Sequence, residues 1–270
     1  MNKRVDLYSA YGNFTEQVLA AVRAETFGKD IGQNSWLTVD EFDRFISWLQ
    51  VGSEHHVIEV ASGSGGPARY LAERTGCRVT GIDANESGIE TATQGLNQTN
   101  LSVTFRLADA TARLPFDDGS FDGLMCIDAM NHLPNRLEVL REWCRILRPK
   151  GRAVFTDPVL ITGPVTNDEL ALRSLVGVFL FVPPGVNEKF ISDAGLNLVR
   201  QEDVSDNAAQ VSKRWHDARE RHKDALVQME GEERFEGLQK FLAAVHGLTS
   251  ERRLSRIVYV VEKPARVLGI

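Results

Sequence analysis

The stretch from residue 57 to residue 72, "VIEVASGSGGPARYLA", ends an apolar run on an acid, Glu59, and then breaks into glycines. Gly63, Gly65 and Ala68 satisfy a G-x-G-x-x-A spacing, the pattern of a strand-to-helix turn whose bare backbone admits a ligand closely. Asp83 follows Gly63 by 20 residues, at the end of the next apolar run, where a ribose hydroxyl would meet a carboxylate. Those residues alone fit a dinucleotide. Glu59 changes the balance, because a carboxylate at a strand's carboxyl end repels a pyrophosphate and attracts a ligand that carries positive charge. Asp109 sits at the end of a third apolar run. Taken singly, Asp83 reads as a cap for a helix beginning near Glu86 and Asp109 as an Asx-turn residue. Together they fall at the carboxyl ends of successive strands, where ligands bind in open α/β sheets.

The elements that must position these residues follow from periodicity. Apolar runs at 57–61, 78–82, 102–107, 121–127 and 152–156 alternate with amphipathic segments near 67–75, 86–98 and 134–148. This alternation predicts an α/β fold, a doubly wound, mostly parallel sheet with helices on both faces. In "PNRLEVLREWCRILRPKG" the stripe Leu137, Leu140, Cys144 and Leu147 is stopped by Pro149 and Gly151. Ahead of the sheet, residues 1 to about 50 read as a helical cover, with Thr38 and Glu41 at capping-box spacing. The remainder, 51–270, reads as one domain with two interruptions: a proline-containing lid at about 158–187 and a helical insertion at about 206–250. A strand at 196–204 and a last strand in "SRIVYVVEKP" complete it.

Composition excludes several classes of function. Acidic residues number 37 against 31 basic ones, a formal net charge of -6, so the footprint that a phosphate backbone requires is missing and nucleic acid is not an expected partner. Cys77, Cys126 and Cys144 lie among apolar neighbours at spacings that suggest neither a disulfide framework nor a metal site, and no metal is expected. The longest apolar run, "LVGVFLFV", is far shorter than the ~20 residues of a membrane span. A cytoplasmic protein with a small-molecule partner is the expectation.

A guest that is cationic, carries ribose and lacks phosphate matches S-adenosylmethionine. In combination the motifs resemble the class I S-adenosylmethionine-dependent methyltransferases, above all the small-molecule branch similar to quinone-biosynthesis methyltransferases. "VIEVASGSGG" is similar to the family's glycine-rich first motif, "VTGIDAN" to its ribose motif, and "RLADATARLPFDDGSFDGLMCIDAMNHLPN" to its adenine and fourth-strand motifs. "LREWCRILRPKGRAVFTDP" is similar to the helix and fifth strand that follow. Ala61 stands where the family has a first glycine and Ser62 where a cysteine is common; a negative φ is expected to suit Ala61.

The resemblance implies a Rossmann-like seven-stranded sheet and S-adenosylmethionine as cofactor. It implies Glu59 facing the methionyl ammonium, often through water, Gly63 and Gly65 along methionine and ribose, Asp83 on the ribose hydroxyls, and Asp109 with the Ala110 amide at the adenine. Ser62, Ala84 and Asp128 belong to the same expected cofactor shell. Residues 27–38, "FGKDIGQNSWLT", faintly resemble the segment before the core in glycine and sarcosine N-methyltransferases, which makes Tyr11 and Trp36 candidate cofactor covers, with a core role the alternative for Trp36.

Methyl transfer needs a positioned nucleophile, and a base only where that nucleophile carries a proton to lose. For a hydroxyl acceptor, His132 is the best general base, with Asp157 orienting it; the alternative is that His132 only shapes the methyl-donor pocket. The expected reaction is O-methylation, with N- or C-methylation of an amine or quinone-like acceptor as the alternative. A nicotinamide oxidoreductase and a non-catalytic scaffold are the weaker readings. Val176, Val178, Phe179, Phe181 and Val182 in the lid predict a moderately hydrophobic acceptor, the alternative being that they pack onto the sheet or form a homodimer contact. His55 and His56 are expected to be solvated, and His216 and His222, with Trp215 between helical polar residues, to lie on a helix surface.

Overall fold

The computed structural model describes Tyr11 and residues 16–265. Seven strands form one sheet in the order β3-β2-β1-β4-β5-β7-β6. The strands are β1 (His56–Val60), β2 (Arg78–Asp83), β3 (Val103–Leu107), β4 (Phe121–Cys126), β5 (Leu147–Ile161), β6 (Asn197–Asp203) and β7 (Leu254–Glu262). Only β7 runs antiparallel to its neighbours, β5 and β6. The strand order reverses between β1 and β4, which opens the crevice in which ligands of doubly wound sheets bind.

Strand alternation divides the core into two layers. Ile58 and Val60 of β1 pack with α5 (Arg136–Ile146) and α7 (Val186–Asp193) on one face, where Trp143 and Phe155 are fully buried. Val57 points to the other face, against α2 (Val39–Leu49) and α3 (Gly66–Thr75). Glu59 shares the parity of Val57, so its carboxylate lies on the α3 side. Helix α4 (Glu86–Gln94) follows β2, and its N-cap is Asn85, whose side chain accepts the Gly88 amide at 2.8 Å; Asp83 is therefore not the cap.

A second body of helices covers the carboxyl edge of the sheet. Helices α8 (Ser205–Arg221), α9 (Lys223–Glu230) and α10 (Glu232–Ser250) pack against α1 (Gln17–Phe27), and α6 (Asn167–Arg173) lies against α10. Phe27, Trp36, Val176, Val211 and Phe241 form a small core of their own there. The chain's first helices and its late insertion thus make one roof, although they are separated by most of the sequence. No helix among the described residues is long and apolar enough to cross a membrane.

The expected lid at 158–187 begins later than its prolines suggested. Strand β5 runs on to Ile161, with Pro158 inside the register shift between Asp157 and Leu160, a place where a residue without N–H does no harm to the ladder. Of the five lid side chains expected to face a ligand, Val176 and Phe179 do so, whereas Val178 is 55% exposed and Val182 packs on the sheet core. Cys77 and Cys126 are buried free thiols, as their neighbours suggested, and Cys144 is only half-buried.

Asp157 ends in the core rather than in a site. It is fully buried and its Oδ2 is bonded by Arg136 Nη1 and, at 2.9 Å, by Asn187 Nδ2. Arg136 also donates to Asn187 Oδ1 at 2.8 Å and to the Leu180 carbonyl at 2.6 Å. This cluster joins α5, β5, α7 and the segment between α6 and α7. Removing one member of a buried pair strands the other charge at a cost of about 3–5 kcal/mol. Asp157→Ala is therefore expected to lower the unfolding free energy by about that amount in urea titrations, a loss of folding rather than of catalysis.

Candidate active site

The carboxyl ends of β1, β2, β3 and β4 form the floor of one cavity of about 650 Å³. Ala61, Asp83, Asp109, Asp128 and His132 contribute from below, and Tyr11, Trp36, Trp215 and Phe241 from the roof. Three carboxylates and one imidazole, carried by the ends of β2, β3 and β4 and the turn after β4, thus share a single space.

At the β2 end, Asp83 accepts the Gly63 amide on Oδ2 and the Asn85 amide on Oδ1, each at 2.8 Å. Burial pushes its carboxyl up, and those amides with that of Ala84 oppose the push. Each oxygen retains a lone pair for a donor in the cavity. Asp109 accepts the Thr111 amide and hydroxyl, both on Oδ1, at 2.8 and 2.7 Å, so the Asx-turn reading of this residue holds. Those bonds hold its carboxyl below the ordinary range, and Oδ2 carries neither of them. Ala84 and Ala110 also line the wall.

Glu59, Ser62, Gly63 and Gly65 do not line the cavity; they form the layer beneath it. Glu59 is 3% exposed, and its Oε2 has no hydrogen-bond partner among the described residues. Burial, then the neighbouring charge of Asp83, push its carboxyl well up, against the Ala68 amide and the Arg69 charge. Glu59 thus sits one layer behind the loop, and its carboxyl is pushed toward the neutral form. Ser62 Oγ is likewise buried without a partner.

The glycines have local reasons. Gly65 has φ +73°, and a Cβ there would stand 2.3 Å from the ring of Phe105, so it serves helix-to-sheet packing rather than ligand approach. Gly63, at φ +49°, would meet the Tyr11 hydroxyl at 2.5 Å, which places that ring over the loop. Ala61 has φ +59°, contrary to the negative φ expected of it. The left-handed turn needed there is the one a glycine adopts freely, and an alanine bears the strain because β1 and α3 fix the chain on both sides.

Asp128 also adopts a positive φ, +53°, and lines the cavity, but its carboxylate is engaged. Arg256 Nε donates to Oδ1 at 2.7 Å, Thr156 Oγ1 to Oδ1 at 2.8 Å, and the Trp36 amide to Oδ2 at 2.9 Å. This residue fastens the roof to the floor. Trp36 is both cavity wall and core, edge-on to Trp215 with ring centres 5.9 Å apart.

His132 lies on a 3₁₀ turn after β4, its ring 4.6 Å from that of Phe179. Nδ1 is 2.8 Å from the Val178 carbonyl, so it must carry the proton and donate, which leaves Nε2 of the neutral ring as an acceptor. Burial pushes this imidazole below its ordinary 6.5, the Arg173 charge adds to the push, and the Val178 carbonyl opposes it. The orienting group is thus a lid carbonyl and not Asp157, which is held by Arg136; the expected dyad is corrected on that point. His216 and His222 bond Asp217 and Glu25 on the helical surface, as expected. His56 is half-buried: Nε2 meets Thr80 Oγ1 at 2.9 Å, and burial pushes its pKa to about 4.

Sequence reasoning missed Arg173, Arg219 and Glu230 of the cavity wall. Arg219 pairs with Glu230 across α8 and α9. The only sequence signal for Arg173 was an arginine just before the most apolar run of the chain.

Residues 58–155 match a family model described as a methyltransferase domain. Over that segment the chain is similar to methyltransferases. It is similar to the methyltransferase GfsG of Streptomyces halstedii, 35% identical over 58% of this chain and 58% of that one. It is also similar to the 27-O-demethylrifamycin SV methyltransferase of Amycolatopsis mediterranei, 31% identical over 60% of this chain and 61% of that one. The chain therefore spans about three fifths of the length of these relatives. The fold matches that of a phosphoethanolamine N-methyltransferase of Haemonchus contortus, solved with phosphomonomethylethanolamine and S-adenosylhomocysteine, at TM-score 0.78 and 16% identity, covering 95% of this chain and 60% of that one.

The strained Ala61 supplies a direct check on the loop. In Ala61→Gly, relief of about 1 kcal/mol of left-handed strain offsets a similar gain in unfolded-chain entropy, so its stability should stay within about 0.5 kcal/mol of the parent. Ala61→Val, β-branched in a left-handed turn, should lose about 1–3 kcal/mol in thermal or urea unfolding.

Proposed function

We propose that this protein transfers a methyl group from S-adenosylmethionine to an oxygen atom of a small, partly apolar acceptor, with His132 as the base. The observation that carries the proposal is the polarity of one cavity: unsatisfied carboxylate capacity at the β1–β3 ends, and an imidazole with a fixed tautomer at the β4 end.

The residues present suit that cofactor. Asp83 would accept ribose hydroxyls with the lone pairs left by its two backbone amides, and Asp109 Oδ2 would accept the adenine amino group. The orphaned Oε2 of Glu59, one layer behind the loop, is a buried acceptor suited to an ammonium group reaching it through water. Tyr11 and Trp36 would cover the bound molecule from the roof. When bound, S-adenosylmethionine supplies a methyl group on a cationic sulfur. This chain's own task is then to position the nucleophile, exclude water and take its proton.

His132 Nε2 is the atom for that proton. Because burial keeps the ring neutral near pH 7, it is already competent as a base, and the Val178 carbonyl stabilises the cation formed on proton uptake. One feature favours an oxygen acceptor over an amine: the buried Arg173 guanidinium beside the aromatic wall repels an ammonium group.

His132→Ala should lower kcat about 100-fold or more while leaving S-adenosylhomocysteine affinity unchanged. In the parent enzyme, kcat should be flat above pH 7 and fall on the acid side, with its break below the ordinary histidine value of 6.5. Full turnover by the variant, or transfer of labelled methyl only to amines in a panel of hydroxyl, amine and carbon acceptors, overturns this reading.

Glu59→Gln separates charge from shape. It should bind S-adenosylhomocysteine about tenfold more weakly by calorimetry, since the ammonium loses a carboxylate partner. Without ligand, a carboxyl whose folded-state pKa is raised stabilises fully below its ordinary value of 4.5 and loses that contribution as pH rises through the folded value. The parent's melting temperature should accordingly fall relative to that of the variant as pH increases.

A further inference from the structure

The cavity wall carries four arginines, Arg23, Arg173, Arg219 and Arg234. Arg23 pairs with Asp30 at 2.9 Å, Arg219 with Glu230, and Arg234 reaches Glu230 at 3.5 Å. Arg173 has no such partner. It closes α6 at 2% exposure, no hydrogen bond or ion pair reaches its guanidinium among the described residues, and its Nη1 is buried and unsatisfied. The two acids whose charges it feels, Asp128 and Asp157, are already engaged by Arg256 and Arg136.

What surrounds Arg173 is aromatic. Its Cζ lies 4.5 Å from the ring centre of Phe179, 5.1 Å from Phe241 and 6.0 Å from Trp36. Cation–π contacts of this kind offset only part of the desolvation penalty of a buried ion. The balance is unfavourable, and burial pulls the group's pKa down to about 9. Such a cation, held in a ligand cavity with a donor unused, is complete only when an anion joins it.

We infer that Arg173 is a specificity-determining residue that holds a carboxylate of the methyl acceptor, so that the substrate is a hydroxy acid with an apolar body. The inference rests on the reading of the cavity as a methyl-transfer site and names the acceptor class for it. One unbalanced positive charge calls for a monoanion, and the planar fork of a guanidinium matches a carboxylate in two parallel hydrogen bonds. A phosphate would bring close to two negative charges to one donor. The position is apt for chemistry: the Phe179 ring lies 4.5 Å from Arg173 Cζ and 4.6 Å from the His132 ring. An acceptor anchored on Arg173 is therefore within one ring's neighbourhood of His132 Nε2. The aromatic wall of Phe179, Phe241 and Trp36 would enclose the body between them.

Benzoate and benzamide, alike in shape and different in charge, test the inference on the S-adenosylhomocysteine-loaded protein by calorimetry at neutral pH and millimolar concentrations. Benzoate should bind at least about tenfold more tightly than benzamide. In Arg173→Met and Arg173→Gln the preference should vanish while affinity for S-adenosylhomocysteine persists. Without ligands, Arg173→Met should melt no lower than the parent, because a buried uncompensated charge has been removed; a structural arginine would give the opposite result. Equal affinity for the two probes, no benzoate binding, or a preference that survives both substitutions overturns the inference. Loss of S-adenosylhomocysteine binding by the parent would instead overturn the methyl-transfer reading beneath it.

Discussion

Arg256 is fully buried on the penultimate stretch of the sheet, with Glu41 at 2.7 Å on one side and Asp128 at 2.7 Å on the other. Taking three charges from water is costly, and it succeeds here because each is met by another and by further donors, Thr156 and the Trp36 amide on Asp128 among them. Much else depends on this cluster. It joins α2, the turn after β4 and β7, elements far apart in sequence. By fixing Asp128 it also fixes Trp36, and with Trp36 the seat of the roof. The +53° φ at Asp128 is the local cost of aiming one carboxylate at three partners.

The cavity that results is electrostatically two-ended. Glu59, Asp83 and Asp109 gather at the ends of the first three strands, with burial raising the first two. Four arginines lie on the remaining wall, and three of them meet acids. Under the proposed reading, carboxylates on one wall and arginines on another would draw ligand groups of opposite charge to different walls. The low dielectric that makes each unpaired group costly in the empty protein makes each pairing strong in the filled one.

The fold was largely legible because strands buried on both faces leave continuous apolar runs, and because turn chemistry such as "NHLPNR" punctuates them. The carboxylates were legible for a related reason: a residue just past a strand's end must lie at the sheet's ligand-binding edge whatever its side chain does next. What stayed illegible was everything decided by parity, backbone angle or distant partners. Glu59 shares a face with Val57, which sends it under the loop, and Ala61 takes a left-handed φ that its side chain gave no reason to expect. Asp157 looked available until Arg136 and Asn187, 21 and 30 residues away, closed on it. The partner of His132 is a backbone carbonyl, which carries no side-chain signature at all.

Arg256 and Arg173 show why burial of a charge is not in itself a structural statement. Both are arginines almost without exposure, near the same Asp128. Carboxylates raise the pKa of Arg256 above its ordinary value despite burial, whereas burial lowers that of Arg173 to about 9. The difference lies wholly in bonded acids: Arg256 has two, and Arg173 has aromatic faces in their place. A fold seeking only stability would gain from an apolar side chain of similar volume at 173. A cation there instead stores an unfavourable interaction that an anionic guest alone can relieve, and a site that rewards one guest in this way discriminates against neutral ones of the same shape by the same amount.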